Sequence, residues 1–147
     1  MKHALTYLFP FLCLLCCMSC TKEELNEDFL SGNWVVESSN ETVVGFWGYA
    51  TFMSGDNVSF DNTDRVKITR PAHNGVDQLV FDFDYRIMTP KDKGSYLEIT
   101  VSSYYAVDPF GRVPFYISGT SHYRLYLNKV YDDNISNELV VLKRVSK

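Results

Sequence analysis

Between Leu79 and Met88 the chain alternates with a period of two: Leu79, Phe81, Phe83, Tyr85 and Ile87 point one way, and Asp82, Asp84 and Arg86 the other. Successive side chains of an extended strand stand on opposite faces of a sheet, so this pattern predicts a half-buried strand and not a helix. Leu97, Ile99 and Val101 repeat it against Glu98, Thr100 and Ser102, as do Tyr123, Leu125 and Leu127 against His122, Arg124 and Asn128. Further strands are predicted over Trp34–Ser39, Val43–Met53, Val58–Phe60, Arg65–Arg70, Val113–Ser118 and Glu138–Val145.

Between these stretches lie turn clusters, among them Ser54-Gly55-Asp56-Asn57, Asp61-Asn62-Thr63-Asp64, Lys91-Asp92-Lys93-Gly94, Asp108-Pro109-Phe110-Gly111 and Asp132-Asp133-Asn134. Gly and Asn supply positive φ, and Pro presets a turn's second residue. Asn74-Gly75 is the strongest hairpin signal in the chain. Parallel neighbours need crossovers of about a dozen residues or more, and no helical stretch supplies them. The expected fold is therefore all-β, one antiparallel meander of eight or nine strands. It must hide its edges, by closing into a barrel or, as the alternative, by folding into a β-sandwich.

The N-terminus has a different character. Lys2 precedes a mostly apolar run from Tyr7 to Met18, the layout of a secretory signal. The run is shorter than the roughly 20 apolar residues a membrane helix needs, and Pro10 interrupts it. Ser19-Cys20 then resembles the end of a bacterial lipoprotein signal, where a small residue precedes the cysteine that is acylated. Cys17 and Met18 depart from the usual residues at those places, and ordinary secretion is the alternative. The resemblance implies lipidation at Cys20, with residues 1–19 removed as signal peptide, residues 20–29 forming a polar tether and residues 30–147 the domain. Thr21-Lys22-Glu23-Glu24 looks like the tract that sends lipoproteins of some Gram-negative bacteria to the cell surface. The implied location is the outer membrane, lipid-anchored, on the surface or the periplasmic face.

Of the 147 residues, loss of the first 19 leaves 128, enough for one domain. Its 13 basic residues (14 less Lys2) face 18 acidic ones, a formal charge of −5 that disfavours nucleic acid. All four cysteines, Cys13, Cys16, Cys17 and Cys20, lie at or before the lipidation site. The domain therefore has no disulfide, thiolate metal site or cysteine nucleophile.

The domain opens Leu30-Ser31-Gly32-Asn33-Trp34, which looks like the Gly-x-Trp that starts the first strand of lipocalins and of the lipocalin-like domains of bacterial lipoproteins. In that family the Trp closes one end of the barrel, and a basic residue near the end of the last strand packs across its indole. Arg144 is the matching residue here, with Lys143 and Arg124 as substitutes. The other lipocalin motifs are not matched. The resemblance implies a barrel-end pair of Trp34 and Arg144 and a cavity lined by Phe46, Phe81, Phe83 and Tyr123.

Little points to catalysis. His73 lies in a turn and His122 on the polar side of a strand, and no Gly-x-Ser-x-Gly elbow accompanies them. Asp82 and Asp84 share a face, the arrangement of a half-buried strand's wet side more than of an acid–base pair. Asp56, Asp61, Asp64, Asp132 and Asp133 sit in turns without the spacing of a calcium loop. No metal, cofactor or enzymatic activity is expected. Aromatics are the surplus, and adjacent pairs such as Tyr104-Tyr105 and Phe115-Tyr116 must put one ring outside. Two functions remain: binding of a small apolar or amphipathic ligand in a barrel mouth, or contact with a protein partner or glycan through the outer aromatics.

Overall fold

The computed structural model describes residues 25–42, 50–101 and 111–146. A short helix, α1 (Glu27–Leu30), leads into eight strands: β1 (Gly32–Ser39), β2 (Asn57–Phe60), β3 (Arg65–Arg70), β4 (Leu79–Met88), β5 (Tyr96–Thr100), β6 (Arg112–Ser121), β7 (Arg124–Tyr131) and β8 (Asn134–Ser146). Each strand pairs antiparallel with the next, and β8 returns to β1, closing the barrel. Closure leaves no edge strand, which settles the choice against a sandwich.

The period of two explains which residues face inward. Trp34 and Val36, Val58 and Phe60, Val66 and Ile68, Leu97 and Ile99, Phe115 and Ile117, Leu125 and Leu127, and Val140 and Leu142 are all buried in one cluster. The register carries the same residues across the ladders: Trp34 opposes Val58, Val58 opposes Ile68, and Leu97 opposes Phe115. An eight-stranded barrel is just wide enough for side chains to fill it. Large rings do so here: Phe52 meets Phe115 at 5.4 Å and Phe60 meets Tyr85 edge-on at 5.1 Å.

The turns follow their residue types. His73 and Val76 exchange backbone hydrogen bonds around Asn74 (φ 49°) and Gly75 (φ 79°), and Asp132 and Asp133, also at positive φ, join β7 to β8. Gly94 (φ 77°) has a second constraint, because a Cβ there would lie 2.9 Å from the Tyr116 ring. At Gly75 the same Cβ would meet nothing within 4 Å. Gly75→Ala should therefore lose about 1–2 kcal/mol for the left-handed backbone alone. Gly94→Ala should lose more, and urea denaturation of the two variants measures the difference.

Three expectations are corrected. The strand expected over Val43–Met53 is not formed by its described part, since residues 50–53 are non-strand, with Ala50 and Phe52 buried and Met53 exposed; residues 43–49 lie outside the described residues. His122 and Tyr123 do not belong to β7 but form the turn before it. Part of the expected tether is also built into the fold: Leu25 and Phe29 pack on the core. Among the described residues, no helix is long and apolar enough to cross a membrane.

Candidate functional site: the two ends of the barrel

The ends of the barrel are built differently. At one end α1 lies beneath the start of β1, and the indole N–H of Trp34 donates to the Leu30 carbonyl at 2.8 Å. Trp34 and Arg144 are register partners across the β1–β8 seam. The Arg144 guanidinium lies 4.1 Å from the Trp34 ring centroid and 5.3 Å from that of Phe29. It also donates to the carbonyls of Ser31, at 3.0 Å, and Phe29. One side chain thus meets two rings and two carbonyls, tying the last strand to the segment before the first. Arg124 instead pairs with Glu37 on the surface.

The three longest connections, residues 40–56, 71–78 and 101–111, leave from the opposite end. There the inward parity of β3 and β7 continues past the apolar residues to Arg70 and Lys129. Each cation is answered by a carboxylate from the β1–β2 connection. Lys129 Nζ lies 2.6 Å from Glu41 Oε1, with the side chains 10% and 0% exposed. Arg70 meets Asp56 through Nε and Nη2, at 3.0 and 2.8 Å, with the side chains 11% and 1% exposed. Charges this deeply buried must be paired and hydrogen-bonded.

The carboxylates also fold the connection that carries them. Glu41 accepts from the backbone N–H groups of Thr51 and Phe52, and Asp56 from that of Met53. Arg70 Nη2 donates to the Ala50 carbonyl, and Ser39 Oγ to that of Phe52. Residues 50–56 are thereby drawn onto the barrel end, with Phe52 fully buried. One donor is left over: Arg70 Nη1 is buried and has no hydrogen-bond partner among the described residues. Beside it stands Phe81, whose ring centroid is 5.4 Å from the guanidinium carbon. Phe81 in turn stacks on Phe83 at 5.9 Å, both half-buried against the core.

The residues singled out in the sequence separate accordingly. Phe81 and Phe83 face inward together near the mouth. Tyr123 is 64% exposed at the opposite end and lines no interior surface. The parity that suggested it ends at Leu125, because the chain turns before reaching it. Phe46 and Cys20 lie outside the described residues. The paired basic residues were readable as charges at inward parity on β3 and β7; Glu41 and Asp56, lying in connections, carried no such signal.

The other polar groups have structural partners. Asp82 and Asp84 both bind Arg65, each at 2.6 Å, on the outer face. Asp61 accepts from the backbone of Thr63 and Arg65. His73 and His122 are exposed in turns. Among the described residues no three His, Cys, Asp or Glu side chains are placed to hold a metal ion.

The titratable groups define a stability window. The Arg124 hydrogen bond holds the Glu37 carboxyl below its usual range, and the Thr63 backbone N–H does so for Asp61. Burial pushes Glu138 up, but hydrogen bonds from Thr42 and Tyr131 outweigh it and the net direction is down. Burial, then the Glu138 carboxylate, push the Tyr131 phenol well above its ordinary value. Carboxyls lowered in the fold add stability above their unfolded values, and it is lost as pH falls through the folded ones. A phenol raised in the fold adds stability below about pH 10, lost as pH rises beyond it. Chemical denaturation across pH should show both flanks, and Tyr131→Phe should flatten the alkaline one.

The class these features define is an eight-stranded, closed antiparallel meander barrel, compatible with a lipocalin-like barrel. The chain matches no protein-family model, and a search of curated proteins finds no match either.

Proposed function

We propose that this chain is a lipocalin-like, lipid-anchored protein of the cell envelope that binds a small apolar or amphipathic ligand at the mouth of its barrel, without catalysis. The observation that carries the reading is the stacked, half-buried Phe81–Phe83 pair facing inward beside Arg70, at the end with the longest connections. Small-molecule sites combine apolar walls with a few fixed polar groups. The other end is filled by Trp34, Phe29 and Arg144, so the ligand enters from the mouth and sits shallowly. Anchoring through Cys20 would hold the barrel at the outer membrane.

Native mass spectrometry of the full chain from its own host tests the reading. The expected spectrum shows an acyl mass on Cys20 and a small molecule released on activation; a ligand-free protein would overturn the binding function. Labelling of intact cells with a membrane-impermeant reagent distinguishes surface from periplasmic placement.

A second reading is favoured by one observation. Tyr96 and Tyr116 oppose each other on the outer face of β5 and β6, with centroids 5.4 Å apart. Such a pair suits contact with a glycan or a protein partner. Tyr116→Ala would then abolish the contact while leaving mouth binding intact.

A further inference from the structure

The proposed acylation of Cys20 fixes more than the compartment. Leu25 already packs on the core and follows Cys20 by five positions. Five residues span at most about 18 Å even when fully extended. The end of the barrel that carries Leu25, α1 and the Trp34–Arg144 pair is therefore held close to the bilayer. A 10-residue strand such as β4, tilted by about 40°, rises about 25 Å, so the mouth lies that much farther along the barrel axis.

The surfaces of the two ends differ in the same sense. Among the described residues the two most exposed large apolar side chains, Tyr123 at 64% and Val145 at 66%, both lie at the anchored end. They stand on neighbouring segments, since the Arg144 backbone N–H donates to the Tyr123 carbonyl at 2.9 Å. A tyrosine suits the headgroup layer, with an apolar ring and a wet hydroxyl. The mouth also exposes apolar residues, Val76 and Ile135 among them, but its exposed charges among the described residues are all acidic: Asp77, Asp132 and Asp133. Half-buried Arg112 and Glu138 add one charge of each sign there. At the anchored end Lys91 and Lys93 flank Asp92, and Lys143 lies near the end of β8, against Asp28, Asp61 and Asp64. An anionic headgroup layer repels the mouth and tolerates the anchored end.

From the length of this leash and the character of the two ends we infer that the barrel is seated upright on the bilayer, Tyr123 and Val145 at headgroup level and the mouth opening into the aqueous phase. The partner of the closed end is thus a phospholipid surface. The inference rests on the proposed lipid anchor and adds an orientation to it: a ligand at the mouth exchanges with the aqueous side, not with the anchoring membrane.

The test uses the full chain from its own host in phosphatidylethanolamine–phosphatidylglycerol vesicles, a fraction of whose headgroups carry a nitroxide. With Cys20 acylated the domain has no thiol, so a single introduced cysteine takes one fluorophore. Asn62→Cys places it in the β2–β3 turn, level with α1, and Gln78→Cys at the mouth; both positions are exposed. The Asn62 label is expected to lose most of its emission to the nitroxide and the Gln78 label to keep it, with aqueous iodide doing the reverse. A flexible Gly/Ser insertion of about 20 residues after Glu24 separates seating from the leash. Quenching at Asn62 should persist in that chain, and Tyr123→Ser with Val145→Ser should abolish it; a thermal melt checks that this exposed pair is replaced without unfolding. Stronger quenching at Gln78 would overturn the inference by turning the mouth to the lipid, and equal quenching by laying the barrel on its side. Loss of quenching on insertion alone would overturn the lipid contact while leaving the anchor standing. A chain without acyl mass that does not float with the vesicles would remove the anchor and the inference together.

Discussion

Lys129→Met is expected to destabilise the barrel by about 3–5 kcal/mol, one of the two largest losses any single change should produce. The reason is not the worth of the ion pair but the state of the carboxylate left behind. The Glu41 side chain is fully buried, and without Lys129 Nζ at 2.6 Å its charge has, among the described residues, two backbone N–H groups to answer it. Adding Glu41→Gln to Lys129→Met removes the charge while keeping an amide oxygen for one backbone N–H. That double variant should recover much of the loss, since removing both charges of a buried pair is far milder than removing one. Urea denaturation of the single and double variants measures the coupling. A single variant within about 1 kcal/mol of wild type would mean that water reaches Glu41.

The same reasoning gives the mouth its physical character. Two buried ion pairs add little net stability over apolar residues of the same shape. They do specify one conformation: residues 50–56 can settle only where both carboxylates find their cations, and Phe52 then fills the space above Phe115. Any ligand at Phe81 and Phe83 meets a surface fixed in advance. A mouth closed by apolar residues alone would offer many near-equal packings.

How much of this could be read from the chain depends on how local the signal is. Alternation is written residue by residue, so the strand over Leu79–Met88 appears with the same limits in sequence and structure. Asn74-Gly75 and Asp132-Asp133 carry their positive φ in their own chemistry, and both turns form. Closure was legible only as a demand that edges be hidden. The Ala50–Met53 stretch misled because Ala50 and Phe52 are buried for a non-local reason: Glu41, Asp56 and Arg70 hold the stretch across the barrel end. Tyr123 misled because parity continues on paper through a turn that the backbone does not respect. Lys129 and Arg70 broke an apolar parity in plain view, but their partners are distant in sequence and sit in connections without any period.

Trp34→Ala should match Lys129→Met in size, with a loss of about 3–5 kcal/mol typical of a large buried aromatic. Here the truncation has a further consequence, because the indole is the floor on which three groups rest. It hydrogen-bonds the Leu30 carbonyl, faces the Arg144 guanidinium at 4.1 Å and lies 6.1 Å from the Phe29 ring. Removing it opens a cavity and frees Arg144 from its contact with the indole, closer than that with Phe29, so α1 and the end of β8 should loosen together. Hydrogen exchange should show this as faster exchange near residues 29–31 and 142–146, with the β3–β4 ladder protected in proportion to global stability alone. Arg144→Lys offers a sharper contrast. It keeps the charge over the indole but loses the planar fork that binds the Ser31 and Phe29 carbonyls. It should therefore cost only about 1–2 kcal/mol and release α1 without opening the core. Equal loss in the two variants, with exchange rising uniformly around the barrel, would mean that this end is not a separate closure but part of one undivided core.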